Sequence, residues 1–251
     1  FGDDLAGRVV AKGASVKDYE LGDPVYGMDM RPRTASLAER ARISQDCIAH
    51  MPEALTFNQA AAMPLAALTA LQGLRLGGAA SGKSVLIIGA SGGVGSFAVQ
   101  IAKSLKLQVT GVCSGKNTSF VLGLGADAVI DYTQGDYRKC GEKFDIVFDV
   151  TSFETPKTCS ALLKKSGFFI STGGHGKTAV ATRLYKLMGR NAKLVIVQPN
   201  HNDLVTLSNL VKEGQLRPVI DSVYSIDDSE AAYQRSRSGR SRGKVIIEVK
   251  K

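Results

Sequence analysis

Seven residues, Gly89-Ala90-Ser91-Gly92-Gly93-Val94-Gly95, constrain the fold of this chain more than any others, because of what flanks them. Before them, Val85-Leu86-Ile87-Ile88 is the unbroken apolar run of a strand buried on both faces. After them, Val94, Phe97, Ala98, Ile101, Ala102 and Leu105 recur at helical spacing along one face. A glycine-rich turn between a buried strand and an amphipathic helix offers free amides and a partial positive charge at the helix start. That combination is a ready site for an anion.

By letters alone the turn is ambiguous. Ala90, Gly92 and Gly95 spell AxGxxG, one letter from the dinucleotide fingerprint: Gly92 and Gly93 would let backbone amides approach a pyrophosphate, and Gly95 would let the helix pack close to the strand. Gly89-Ala-Ser91-Gly-Gly93 also spells the G-x-S-x-G nucleophile elbow of a hydrolase, for which Asp149 and His175 or His201 are the available partners. Against this, a hydrolase histidine follows a late strand, whereas His201 begins a helix. A third string, Gly77 to Ser84, fits GxxxxGK[ST]. A phosphate-binding loop of that kind follows a strand and opens a helix, and here a helix precedes and a strand follows.

The surrounding pattern favours the dinucleotide reading. Apolar runs predict strands at Val85–Ile88, Val109–Val112, Ala128–Ile130, Phe144–Phe148, Phe168–Ile170 and Leu194–Val197. Helical stretches are predicted at Ala60–Leu76, from Val94 onward, at Phe120–Leu124, at Pro156–Lys165, and from Leu204 to a stop at Gly214. Parallel neighbours need crossover helices, so the fold class is α/β, a doubly wound Rossmann sheet over residues 61–214. Residues 1–60 and 215–251 read as short strands and turns, one β-rich domain that the α/β unit interrupts.

Other classes recede on composition. Cys47, Cys113, Cys140 and Cys159 lie far apart, as do His50, His175 and His201, which gives no metal-site spacing and suggests idle thiols in a reducing compartment. The net charge of +9 is concentrated at the end, where residues 231–251 hold seven basic residues against one acid, Glu248. That segment lacks the interleaved aromatics of a single-strand nucleic-acid binder and reads as a solvated surface. No apolar run reaches the roughly 18 residues needed to span a bilayer. The chain starts at Phe1 without a signal-peptide pattern, as a processed, engineered or incomplete chain would, and its compartment is left open.

The second strand discriminates between cofactors. An NAD site usually carries Asp or Glu about 20 residues past the glycines to bind the ribose 2′-hydroxyl. Residues 107–126 contain no acid, and the strand runs into Cys113-Ser114-Gly115-Lys116-Asn117. A hydroxyl and an ammonium there would receive a 2′-phosphate, which points to NADP; the plainer reading of Lys116 is a solvated turn lysine.

The chain resembles the zinc-independent, quinone oxidoreductase-like medium-chain dehydrogenases/reductases. The resemblance runs over nearly all of it, through Gly2-Asp-Asp-Leu-Ala-Gly7, Gly22-Asp-Pro-Val25, Met63-Pro64-Leu-Ala-Ala-Leu-Thr69, Gly89–Gly95, Leu124-Gly-Ala-Asp127, Ile130-Asp-Tyr132 and Gly243-Lys-Val-Ile-Ile247. It implies an incomplete GroES-like domain at the two ends, family members being longer at the N-terminus. It implies hydride transfer without metal, because Gly2-Asp3-Asp4 stands where zinc-dependent relatives carry Gly-His-Glu. It further implies that Ser91, Gly92, Gly93 and Val94 hold the pyrophosphate and that Ser114, Lys116 and Tyr132 hold the 2′-phosphate. Gly173 would lie near the nicotinamide half, and the chain would form a homodimer through a sheet edge such as Leu194–Val197. Tyr132 read without the family is a half-buried core tyrosine. One departure falls on the substrate side, where Ala38-Glu39 is followed by Arg40 in place of an aromatic residue.

The expected activity is NADP(H)-dependent reduction of a quinone or an α,β-unsaturated carbonyl. No indispensable acid–base residue stands out. Tyr26, placed in a turn after Val25, is the one named proton donor, against a simple packing role. The rivals are a catalytically weak NADP-binding structural or regulatory protein and the Ser91 hydrolase.

Overall fold

Alternation of apolar strands with amphipathic helices builds the middle of the chain. A computed structural model describes residues 2–30, 36–173, 176–187 and 191–249. The chain forms two units, residues 1–68 with 198–251, and residues 69–197.

The second unit is the α/β one. Helix α2 (Pro64–Leu76) leads into it, and the unit's elements are β4 (Ser84–Ile88), α3 (Gly93–Ser104), β5 (Gln108–Cys113), α4 (Thr118–Gly123), β6 (Ala128–Asp131), β7 (Phe144–Asp149), β8 (Leu163–Ser171), α5 (Gly176–Leu187) and β9 (Ala192–Leu194). Its six strands are parallel and ordered β6-β5-β4-β7-β8-β9. The order reverses at β4, between β5 and β7. In an open α/β sheet that reversal leaves a crevice at the carboxyl ends of the strands, where ligands bind. Leu86, Ile88, Val112, Val147 and Phe169 form one core cluster with Cys159 and Leu162. Close packing is enforced by small residues: a Cβ on Gly73 of α2 would strike the Phe148 ring, and one on Gly77 would lie 3.1 Å from Ile146.

Five of the predicted strands are present where expected; the sixth, expected over Leu194–Val197, lies earlier, at Ala192–Leu194. The helix expected over Pro156–Lys165 is absent. Only a short 3-10 turn spans Ser160–Leu162, and β8 starts at Leu163. Thr155 and Thr158 explain this, because their hydroxyls bond each other (3.2 Å) and Thr158 reaches the Glu154 carboxylate, so side chains take the turn that a helix would have needed.

The first unit joins the two chain ends. Strands β1 (Asp4–Arg8), β2 (Pro24–Met28) and β3 (Ile48–His50) form an antiparallel sheet, and β10 (Ile220–Ser225) pairs in parallel with β11 (Lys244–Glu248). Helices α1 (Phe57–Ala61), α6 (His201–Lys212) and α7 (Ser229–Arg237) complete it. Cross-links between early and late residues hold the ends together: Lys244 Nζ lies 3.0 Å from Asp4 Oδ2, and Asn58 Nδ2 donates to Glu248 Oε1 at 2.6 Å. Helix α6 groups with the chain ends instead of the α/β stretch in which the sequence pattern puts it, since the Tyr26 hydroxyl on β2 donates to its Leu204 carbonyl at 2.7 Å.

Candidate cofactor site

The turn after β4 is built by backbone constraint. Gly89 has φ +90°, a conformation that a Cβ penalises. A Cβ on Gly95 would collide with the Gly89 carbonyl, so only glycine lets α3 start this close to the strand. The amides of Gly89 and Ala90 both donate to the Val112 carbonyl at 3.1 Å, which ties the turn to β5. Gly92 is the N-cap of α3 and has an extended backbone, and no described side chain caps the helix there. The amides of its first turn therefore face outward unpaired by the helix, beside half-buried Ser91, Gly92, Gly93 and Val94. This cradle fits a pyrophosphate.

At the end of β5 the chain makes a 3-10 turn, Gly115–Asn117, with Ser114 immediately before it. Buried Asn117 donates from Nδ2 to Ser91 Oγ (3.1 Å) and to Ser114 Oγ (3.4 Å). One amide thus orients the hydroxyl at the glycine turn and the hydroxyl at the end of the second strand. Motif reasoning gives Asn117 no role; its place in the Ser114–Asn117 turn is the signal that could have pointed to it. Lys116 is exposed. Tyr132 is 54% exposed, with its backbone amide on the Cys113 carbonyl at 3.1 Å, so its ring stands at the surface beside this turn and not in the core.

The acid-free window of residues 107–126 is not acid-free in space. Register pairs Asp131, the last residue of β6, with Cys113, and its carboxylate sits against Gly115 so closely that a Cβ there would strike it. The Asp131 carboxylate accepts from Thr133 Oγ1 (2.7 Å) and Thr133 N (2.9 Å), with a further bond from the Gly115 backbone. These bonds, the Thr133 hydroxyl first, hold it below the usual carboxylate range. A sequence window along one strand cannot register an acid that the neighbouring strand delivers.

Across the switch point, β7 ends in Asp149, which is fully buried and register-paired with Ile88 on one side and Ser171 on the other. Burial pushes its pKa up, against the Thr151 hydroxyl and loop amides that stabilise the charge. Gly173 follows β8, and its amide donates to Ser171 Oγ at 3.1 Å.

The other proposed residues have local partners of their own. Tyr26 lies in β2, not in a turn; it is 0% exposed and its hydroxyl bonds Leu204 O and, at 3.0 Å, Ser208 Oγ. Burial pushes its phenol up to about 12. This is the packing role, and it leaves no proton donor at that position. Of the hydrolase set, Ser91 Oγ takes its hydrogen bond from an amide, not a base, and Asp149 is committed to its own loop. His201 Nδ1 lies 2.8 Å from Ile48 O and 3.2 Å from the Tyr19 hydroxyl. His175 lies outside the described residues. The GxxxxGK[ST] string is a helix-to-strand loop in which Lys83 Nζ donates to the Gly78 carbonyl at 2.6 Å, turned back on the loop itself.

Asp4 accepts from the Leu65 amide (2.6 Å) and from Lys244, both structural bonds, and among the described residues no three His, Cys, Asp or Glu side chains are grouped as a metal would require.

A family profile described as "Zinc-binding dehydrogenase" matches residues 124–247. A chloroplast envelope quinone oxidoreductase homolog of Arabidopsis thaliana is 34% identical over 257 residues, covering 98% of this chain and 78% of that protein. A mitochondrial NAD(P)H oxidoreductase of Danio rerio is 32% identical over 277 residues, covering 99% of this chain and 72% of that one. The solved quinone oxidoreductase from Coxiella burnetii is similar with a TM-score of 0.91 at 31% identity, covering 99% of this chain and 79% of that one. Identity of about a third, sustained over nearly the whole chain and on a shared fold, makes this chain a member of the quinone oxidoreductase-like medium-chain dehydrogenases/reductases.

Proposed function

We propose that the protein is an NADPH-dependent oxidoreductase that reduces quinones or α,β-unsaturated carbonyls without zinc. The observation that carries this is the Asn117 amide, which holds Ser91 at the uncapped start of α3 and Ser114 at the end of β5. A dinucleotide laid over the switch point places its pyrophosphate at the first and its adenosine ribose at the second. Ser91, Gly92, Gly93 and Val94 hold the pyrophosphate through backbone amides and the Ser91 hydroxyl. Ser114, Lys116 and Tyr132 receive the 2′-phosphate; the ionised Asp131 carboxylate beside Gly115 opposes that charge, and the Lys116 ammonium is what favours it. Gly173 borders the nicotinamide half.

When bound, the reduced nicotinamide supplies a hydride to an electrophilic carbon of the substrate. The chain's own contribution is placement: rigid strand ends fix donor and acceptor, and a quinone is itself an unsaturated dicarbonyl, so one geometry serves both substrate types. Metal-free transfer belongs to the proposal because Asp4 is a structural link between the chain ends. Homodimerisation through the three-residue edge strand β9 and Ile196 beyond it, 69% exposed, is part of the same reading.

The test is steady-state reduction of a quinone and an acyclic enone with NADPH and with NADH. We expect turnover with a preference for NADPH of about tenfold, falling severalfold in Lys116→Ala, the scale of one charge-assisted phosphate contact. NADPH binding without turnover would favour the structural rival. Ester cleavage that needs no cofactor and is lost in Ser91→Ala would favour the hydrolase.

A further inference from the structure

The carboxylate of Asp149 gathers more donors than any link in the proposed cofactor contacts. Oδ1 accepts from Thr151 Oγ1 (2.6 Å), Thr151 N (2.9 Å) and Ser152 N (3.2 Å); Oδ2 accepts from Glu154 N (3.1 Å) and Ser171 Oγ (3.4 Å). Ser171 Oγ in turn accepts from Gly173 N at 3.1 Å, and the Thr172 amide donates to the Asp149 backbone carbonyl at 3.2 Å. Both Asp149 and Ser171 are 0% exposed.

The carboxylate thus fixes two segments at once. On one side it winds the loop after β7 so tightly that Ser152, not a glycine, sits at φ +65°, a conformation that persists only where surrounding bonds impose it. On the other it anchors the hydroxyl that holds the Gly173 peptide after β8. Those are the carboxyl ends of the two strands on the far side of the switch point from Ser114. With the adenosine ribose over the end of β5, the nicotinamide half must extend over the ends of β7 and β8.

We infer that Asp149 and Ser171 are positioning residues for the nicotinamide half of the cofactor, acting through the Gly173 peptide and not by touching the cofactor themselves. The inference rests on the dinucleotide reading of this crevice. Neither residue belongs to the glycine motif, and neither contacts the adenosine-side turn in this structure. Loss of the relay leaves the Gly173 N–H buried without its acceptor, so the peptide is free to tilt and the ring it borders is held less firmly.

The test compares two ligands that differ at the nicotinamide end. Adenosine 2′,5′-bisphosphate carries the adenosine half alone, and NADPH carries both halves. Calorimetric titration of Ser171→Ala should show NADPH binding about tenfold weaker, the scale of one orphaned buried donor. Binding of the bisphosphate should stay within about twofold of the wild type. Asp149→Asn, which puts an amide NH₂ in place of one acceptor oxygen, should show the same split. Equal weakening of both ligands, or of neither, overturns the positioning role. Failure of the wild type to bind either ligand overturns the dinucleotide reading itself, a separate outcome. Hydrogen exchange on the wild type needs no variant: NADPH should protect segments 149–154 and 171–173, the bisphosphate should not, and equal protection by both overturns the inference.

Discussion

At the scale of single residues, burial decides roles that residue type leaves open. A tyrosine beside a catalytic domain's strand looks like a proton donor until its hydroxyl is located. Tyr26 donates to Leu204 O at 2.7 Å within the β-rich unit, and nothing of it is exposed. Tyr26→Phe should therefore lower stability by about 1 kcal/mol, the value of one hydrogen bond, by denaturant titration. Turnover per folded molecule should not change, and a loss of turnover beyond the loss of folded protein would restore Tyr26 as a donor. Tyr132 shows the reverse: a residue that reads as half-buried core stands 54% exposed at the end of β6, free to meet a ligand.

At the scale of elements, the strands were legible because continuous apolar runs leave little choice of partner surface. Val85–Ile88 and Phe144–Phe148 needed only their own letters. The turn from Gly89 to Gly95 was legible too, since φ +90° and contact with a carbonyl are demands that only glycine meets. What failed was whatever depends on side-chain bonds or on neighbours distant in sequence. The helix expected over 156–165 lost to hydroxyl bonds among Thr155, Thr158 and Glu154. Asp131 came to Gly115 from another strand, and Asn117 carries no motif letter. Helix α7 went unread because its nine residues, Ser229–Arg237, have few apolar positions and only Ala232 is buried. It is held instead by a charge pair: Arg235 binds Asp221 of β10 through two bonds, at 2.6 and 2.7 Å. The guanidinium, with the Arg242 amide and Ser222 hydroxyl, holds Asp221 down to about 2, below its ordinary 3.8. A carboxylate with a depressed pKa in the folded state stabilises above its unfolded value and loses that contribution as pH falls through its folded value. Asp221→Asn should then cost about 1 kcal/mol at neutral pH, discounted because Arg235 is partly exposed. Its deficit against the wild type should shrink as pH falls from about 4 toward about 2, and urea titrations that give the same deficit at pH 7 and pH 3 would contradict this.

At the scale of the whole molecule, a ligand acts on stability through the folded state. A cofactor that binds the native form alone raises the melting temperature by mass action; at about 100 times Kd the gain is roughly 2.7 kcal/mol. Thermal melts with equal concentrations of NADPH and NADH should show the larger upward shift for NADPH. Equal shifts would remove the role given to Ser114 and Lys116 without touching the fold or the family. The Asn117 amide has a consequence for how such a protein changes over generations. On the proposed placement of the dinucleotide, one side chain grips a serine near each phosphate, so a change at Ser114 bears on Ser91 as well. A substitution at Ser114 that pulls Asn117 aside also loosens Ser91, so in such a lineage changes at the two serines are expected to travel together.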